Sequence, residues 1–237
     1  MRSDEALKFV ARCAQPGNVE ELVGEYRSLT KSCGFAGCAC GAWVGIGRQR
    51  TARFFFIDWP KSWLDLYMRR NFMQNDYVVA ESRRRMTPFL WSEISAERKL
   101  NREEREVQAA VAAYGWSEIF AVPIHGPAGY HGLLTLASFE SRPFSAEDRA
   151  LLHLISLAIH HRCRGSAGPT IPETAPLTPR ETECLQWVAD GRSDAEIGRR
   201  IGISTATAHF HIEGAKRKLG VRSRVEAVAL LILRGEI

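Results

Sequence analysis

Apolar and polar positions alternate along this chain in several distinct rhythms. After Asn18-Val-Glu-Glu21, the apolar residues Val19, Leu22, Val23, Tyr26 and Leu29 fall on one helical face. From Phe35 to Val44, and again from Thr51 to Ile57, the pattern becomes strand-like. A helix is predicted over Lys61–Phe72 and a charged helix over Arg102–Tyr114. Strands are predicted over Ser117–Ile124 and Tyr130–Ser138, followed by a long amphipathic helix over Ala146–Arg162. Helices mixed with hairpin-connected strands predict an α+β fold: an α/β/α sandwich around a central antiparallel sheet.

The remainder of the chain reads as all helix. Gly165–Pro176 holds three prolines and two glycines with little apolar content, the composition of a linker. Residues 1–164 therefore form one predicted domain and residues 177–237 a second. In the second, Thr178-Pro-Arg-Glu181, Ser193-Asp-Ala-Glu196 and Ser223-Arg-Val-Glu226 each fit the capping box, where hydroxyl and carboxylate satisfy helix-start amides reciprocally. Gly191, Gly202 and Gly220 stand where helices should stop. Four helices follow: 179–190, 194–201, 205–219 and 224–234. The short Gly202-Ile203-Ser204 connection predicts a helix-turn-helix.

On a wheel, Ala208, Ile212, Ala215 and Leu219 make the buried face of the third helix. Opposite them lie Ala206, Phe210, Glu213 and Arg217. Ser204 caps the helix; Thr207, His211 and Lys218 line one flank, and Thr205, His209 and Lys216 the other. Charge sharpens this picture. The whole chain carries +5, yet seven basic residues and one acidic residue lie between Arg199 and Arg224. Such a local excess suits a phosphate backbone, so these eleven side chains are the predicted DNA contacts.

Leu177, Thr178, Arg180, Glu181, Glu183, Leu185, Gly191, Ile197, Ser204, Thr207, His211, Ile212, Ala215, Lys218, Leu219 and Gly220 make this segment resemble the LuxR-type helix-turn-helix domain. Gly214 departs from that pattern, which often has Asn there; a mid-helix glycine costs roughly 1 kcal/mol against alanine.

In the first domain, Trp59, Trp63 and Tyr67 recur every fourth residue, with Asp76 and Trp91 beyond. Such a stripe is compatible with plain core or with an apolar pocket holding a few polar groups. The arrangement resembles the acyl-homoserine-lactone-binding domain of quorum-sensing regulators over residues 20–162. By that resemblance Trp63 would donate to the lactone carbonyl and Asp76 would accept the ligand amide. Tyr67 would bond the acyl carbonyl, Trp59 and Trp91 would wall the pocket, and Thr135 would lie near the amide. Tyr77 stands where the family has Pro, and Glu118 where it has Gly, which leaves room for an aromatic-acyl ligand or a ligand-independent mode.

The function this implies is a DNA-binding transcriptional regulator that answers an acyl-homoserine lactone and binds a palindromic operator as a homodimer. A ligand-independent regulator, or a module that titrates a partner, is the alternative. No catalytic elbow, phosphate loop or zinc-helix motif is present, so no enzyme is expected, nor any cofactor or metal. Cys33, Cys38 and Cys40 lack a metal-ligand spacing and read as buried residues. His153, His160 and His161 read as dipole partners near a helix end. The first residues lack the apolar stretch of a signal peptide and no run approaches the roughly 18 residues of a membrane span, so the expected location is cytoplasmic.

Overall fold

The computed structural model describes residues 2–44, 51–126, 129–141, 143–167 and 175–237. It divides into two compact units, one built on a sheet and one on the last four helices.

In the first unit the elements run α1 (Ser3–Cys13), α2 (Val19–Ser32), β1 (Gly37–Val44), β2 (Thr51–Asp58), α3 (Lys61–Arg69), a 3₁₀ turn (Phe72–Gln74), α4 (Tyr77–Ser82), β3 (Phe89–Leu90), α5 (Trp91–Glu97), α6 (Arg102–Ala113), β4 (Glu118–Gly126), β5 (Tyr130–Ser138) and α7 (Ala146–Ser166). The strands form one antiparallel sheet in the order β2-β1-β5-β4-β3.

Period-two alternation gives this sheet two different faces. On one, Cys38, Cys40, Phe56, Phe120, Val122, Leu134 and Leu136 meet Phe9 of α1, Tyr26 of α2 and Leu152, Ile155 and Ile159 of α7 in a closed core. On the other, Ala121, Leu133 and Ala137 meet Trp63 and Tyr67 of α3, Val78 and Val79 of α4, Ile94 of α5 and Val107 and Val111 of α6. Helices thus cover both faces, the α/β/α sandwich that the pattern predicts.

Some bounds differ. The predicted helix over Lys61–Phe72 stops at Arg69, because Asn71 is left-handed (φ 50°) and ends it. Its start at Lys61 is as expected, with Pro60 as N-cap and Trp59 ahead of the helix. The long helix runs on to Ser166 and takes Gly165 and Ser166 from the predicted linker; residues 168–174 of that linker lie outside the described residues. Among the described elements, α1, the 3₁₀ turn, α4, β3 and α5 have no counterpart in the sequence reading.

The second unit holds α8 (Pro179–Ala189), α9 (Asp194–Ile201), α10 (Thr205–Leu219) and α11 (Arg224–Arg234). Thr178 and Ser193 make full capping boxes with Glu181 and Glu196. Ser223 accepts from Glu226 N, but the Glu226 carboxylate takes the Arg222 amide instead, so the third box is half made. Gly202 closes α9 in the left-handed region (φ 74°) and the Ile203 amide donates to Gly198 O. A Cβ on Gly198 would come within 2.7 Å of Ile203 O, so glycine there lets the turn fold back onto α9. Leu185, Ile197, Ala208, Ile212, Ala215, Leu219, Leu230 and Leu231 fill the core.

Candidate functional site

A cavity of about 70 Å³ opens between the sheet and the α3–α6 layer. Its floor is Ala39, Gly41 and Trp43 of β1, Ala52 and Phe54 of β2, and Leu133, Thr135 and Ala137 of β5. Trp59, Trp63, Tyr67, Met73, Asp76, Val78, Val79, Val111, Trp116 and Ile119 close it from the helical side and the sheet edge. Most of these side chains are apolar, so a few polar atoms decide what the space can hold.

The structure brings Trp59, Trp63, Tyr67, Asp76 and Thr135 together on the wall. Trp63 and Tyr67 are one turn apart on α3 and buried, with rings 6.0 Å apart. Trp59 meets Tyr67 edge-on at 5.4 Å. Asp76 is the N-cap of α4: its Oδ1 accepts from the amides of Val78 and Val79 at 2.9 and 3.4 Å. The Tyr67 hydroxyl donates to Asp76 Oδ2 at 2.7 Å. Asp76 lines the cavity and is half-buried. Burial pushes its carboxyl above the usual carboxylate range, against the pull of Tyr67, Val78 and Val79. Burial also drives the Tyr67 hydroxyl well up, and Asp76 adds to this, so Tyr67 stays protonated and donates to the carboxylate. Thr135 Oγ1 is buried on the wall with no hydrogen-bond partner among the described residues. Buried hydroxyls are almost always satisfied, so this one marks a place for a polar atom.

Two residues stand differently from what the resemblance implies. Tyr67 spends its proton on Asp76 and so positions that carboxylate, rather than offering a free hydroxyl to an acyl carbonyl. Trp91 does not line the cavity: it stacks on Tyr77 at 6.3 Å and donates its indole N–H to Ser117 O at 3.2 Å. Tyr77 and Glu118 also lie off the wall. Glu118 is buried, and its carboxylate accepts from the Ser92 hydroxyl and from the amides of Ser92 and Ile119, tying α5 to β4. Sequence reasoning missed Trp43, Phe54, Trp116 and Ile119. For Trp43 and Ile119 the signal was there in strand alternation, which puts them on the face of Ala39 and Ala121.

His160 is likewise no dipole partner. It is fully buried, with Nε2 2.6 Å from the Tyr130 hydroxyl and Nδ1 3.3 Å from Cys40 Sγ. Burial lowers its pKa to about 3, with His161 and Arg164 adding to the effect. All six cysteines are buried and form no disulfide, and no metal-holding cluster occurs among the described residues.

In the second unit, Ala208, Ile212, Ala215 and Leu219 are the buried face of α10, as the wheel predicts. Ser204, Thr205, Ala206, His209, Phe210 and Arg217 are exposed; Thr207, His211, Glu213, Lys216 and Lys218 are half-buried. Several of these side chains are engaged within the unit. Ser204 Oγ caps α10 and bonds Thr207 Oγ1. Lys216 pairs with Glu213 at 2.6 Å and Lys218 with Glu181 at 2.8 Å. His209 Nδ1 lies 2.9 Å from Asp194, which also accepts from Arg224 at 2.6 Å. Burial works to raise Asp194, but His209 and Arg224 outweigh it and hold the carboxyl below its usual range. Gly214 has its place here too: a Cβ would come within 3.0 Å of Glu181 Oε1, the carboxylate that holds Lys218.

A mostly apolar cavity in one unit and a helix-turn-helix in the other define a transcriptional regulator with a small-molecule input. The family model of the autoinducer-binding domain matches residues 18–163, and that of the luxR family of bacterial regulatory proteins matches residues 175–231. The chain belongs to the LuxR family. It is 30% identical over 236 residues to the quorum sensing-dependent transcriptional regulator RpaR of Rhodopseudomonas palustris, covering 100% of this chain and 95% of that one. It is 35% identical over 174 residues to the transcriptional activator BjaR1 of Bradyrhizobium diazoefficiens, covering 73% and 72%. Among solved structures, SdiA in complex with octanoyl-rac-glycerol shares the fold with a TM-score of 0.76 at 17% identity, over 99% of this chain and 97% of that one. The relatives are regulators of transcription, not enzymes. No helix among the described residues is long and apolar enough to cross a membrane.

Proposed function

We propose that the cavity takes an N-acyl-homoserine lactone and that this ligand controls binding of a dimer to a palindromic operator. The observation that carries the ligand reading is the unpartnered Thr135 hydroxyl sharing a mostly apolar cavity with the Tyr67–Asp76 pair. An acyl lactone carries one amide N–H and two carbonyls on an apolar tail. Asp76 accepts the amide proton, Thr135 and the Trp63 indole donate to the carbonyls, and the alanines and valines of the wall take the tail. Leaving such polar groups unpaired costs about 1–3 kcal/mol each, which sets the selectivity for an amide-bearing ligand. Because Tyr77 and Glu118 stand off the wall, they lend no support to a degenerate sensor.

Apolar side chains left in water support the dimer: Leu154 on α7, and Val225 and Ile232 on α11. Two copies related by a two-fold axis would present α10 to two half-sites about one helical turn of DNA apart. On α10 we assign Ala206, Phe210 and Arg217 to the groove, with Thr205 and His209 on its rim. The test is thermal melting of the full chain with a panel of acyl-homoserine lactones, followed by sizing with and without the ligand that stabilises it. A shift of several degrees with one acyl class, in dimeric protein, is the expected result. No shift with any member, in protein that is already folded and dimeric, would leave the partner-titrating alternative standing instead.

A further inference from the structure

Phe210 is the anomaly of α10. The helix has a complete buried face, yet this phenyl points the other way and is 65% exposed, its ring set edge-on to His211 at 5.9 Å. Its polar neighbours on that side are partly committed: His209 to Asp194, and Lys216 to Glu213. Ala206 lies one turn before it, and exposed Arg217 lies two turns after it, about 10 Å along the axis. The surroundings are strongly basic, so the surface that Phe210 surmounts is complementary to DNA rather than to another apolar protein face.

The major groove offers an apolar side chain one partner, the C5-methyl of thymine. We propose that Phe210 is a specificity residue that reads a thymine methyl at a fixed position in each operator half-site. This rests on the DNA-binding assignment of α10 and adds the base it selects. The inner face of α10 is packed by Ala208, Ile212 and Ala215, so Phe210 has no place in that core and stays on the outer face of the helix.

The test uses the full chain, with a mixture of acyl-homoserine lactones, to select duplexes from a randomised pool. Each thymine of the recovered half-site is then replaced by deoxyuridine, which deletes the methyl and keeps every hydrogen-bonding atom. One position per half-site should weaken wild-type binding about four-fold, the worth of one buried methyl. In Phe210→Ala, the thymine duplex should weaken by a similar factor and the deoxyuridine penalty at that position should vanish. Phe210→Leu should restore part of both. Because Phe210 is exposed, the melting curve of Phe210→Ala should match wild type, which separates lost reading from lost folding. A wild-type protein indifferent to deoxyuridine everywhere, or an equal penalty in Phe210→Ala, overturns the proposal and leaves DNA binding itself intact. A pool that yields no motif at all overturns the DNA-binding assignment of α10 as well.

Discussion

Tyr67 donates its hydroxyl proton to Asp76 Oδ2 at 2.7 Å, while the other carboxylate oxygen caps α4. One carboxylate thereby starts a helix and faces the cavity, with a tyrosine holding its angle. Removing the tyrosine hydroxyl leaves the charge but loosens its aim. Tyr67→Phe should weaken lactone binding by about ten-fold, within the 0.5–1.5 kcal/mol of a typical hydrogen bond. Asp76→Asn keeps an oxygen for the Val78 amide, so it should melt within a few degrees of wild type yet lose the ligand response. Asp76→Ala loses the cap as well, at about 1 kcal/mol. Titration calorimetry on the two conservative variants checks this; wild-type affinity in Tyr67→Phe would refute the positioning role.

Trp91 makes a contrasting case. Its indole N–H is used by Ser117 O and its ring by Tyr77, both away from the cavity. Trp91→Phe should therefore lower stability by about 1 kcal/mol and leave the ranking of acyl lactones unchanged. Trp63→Phe should add a clear loss of affinity to the loss of stability expected where a buried indole packs against Tyr67, Phe72 and Tyr114. A changed ranking in Trp91→Phe would place that residue on the wall after all.

Gly132 and His160 predict a pH effect. A Cβ on Gly132 would collide with the His160 ring, so Gly132→Ala should cost about 1–3 kcal/mol through forced repacking. His160 itself is held to about 3, whereas the unfolded chain protonates near 6.5. Between those values only the unfolded chain carries the proton. Its contribution to stability is complete above pH 6.5 and falls as the pH drops, by up to about 1.4 kcal/mol per pH unit. Denaturant unfolding of wild type and His160→Gln across pH 4–7 measures it: the difference between the two should shrink steadily toward acid. A constant difference would mean that His160 is not buried neutral.

Lys218 and Arg217 are adjacent but should behave differently. Lys218 is tied to Glu181, which lies at the cap of α8. Lys218→Ala should lower the melting temperature of the C-terminal unit and reduce the salt dependence of DNA binding only slightly. Exposed Arg217 has no such tie among the described residues. Arg217→Ala should weaken operator binding, by roughly 1–3 kcal/mol if it grips a base edge, with melting unchanged. Binding isotherms at several salt concentrations distinguish the two; a steep loss of salt slope in Lys218→Ala would return it to the phosphate contacts.

Much of this molecule was legible in its residues, for physical reasons that also set the limit. The helices of the second unit were readable almost to the residue, because Thr178, Ser193, Ser223, Gly202 and Gly220 are local signals whose partners lie within a few positions. The sheet was readable because alternation needs no tertiary information. By contrast, α4 is too short to establish a period, β3 is two residues long, and the face of α1 is marked by Ala6, Phe9 and Cys13, of which only one is large. At the cavity, the aromatic stripe with Asp76 pointed to Trp63 and Asp76, and the family resemblance added Thr135; all three line the wall. Residue type could not foretell where Trp91 points, nor that Tyr67 and Lys218 spend their donors inside the fold, because those partners lie 26, 9 and 37 residues away and only packing selects them.

Strand β5 has a further consequence. Leu134 and Leu136 belong to the closed core, while Leu133, Thr135 and Ala137 belong to the cavity wall, so one strand serves both. Anything that binds the wall draws the folding equilibrium with it by mass action. At a hundred times its dissociation constant, a ligand adds about 2.7 kcal/mol, a large share of what a domain possesses. Such a receptor would record the signal partly in its own lifetime, with the unoccupied chain open to proteolysis sooner than the occupied one.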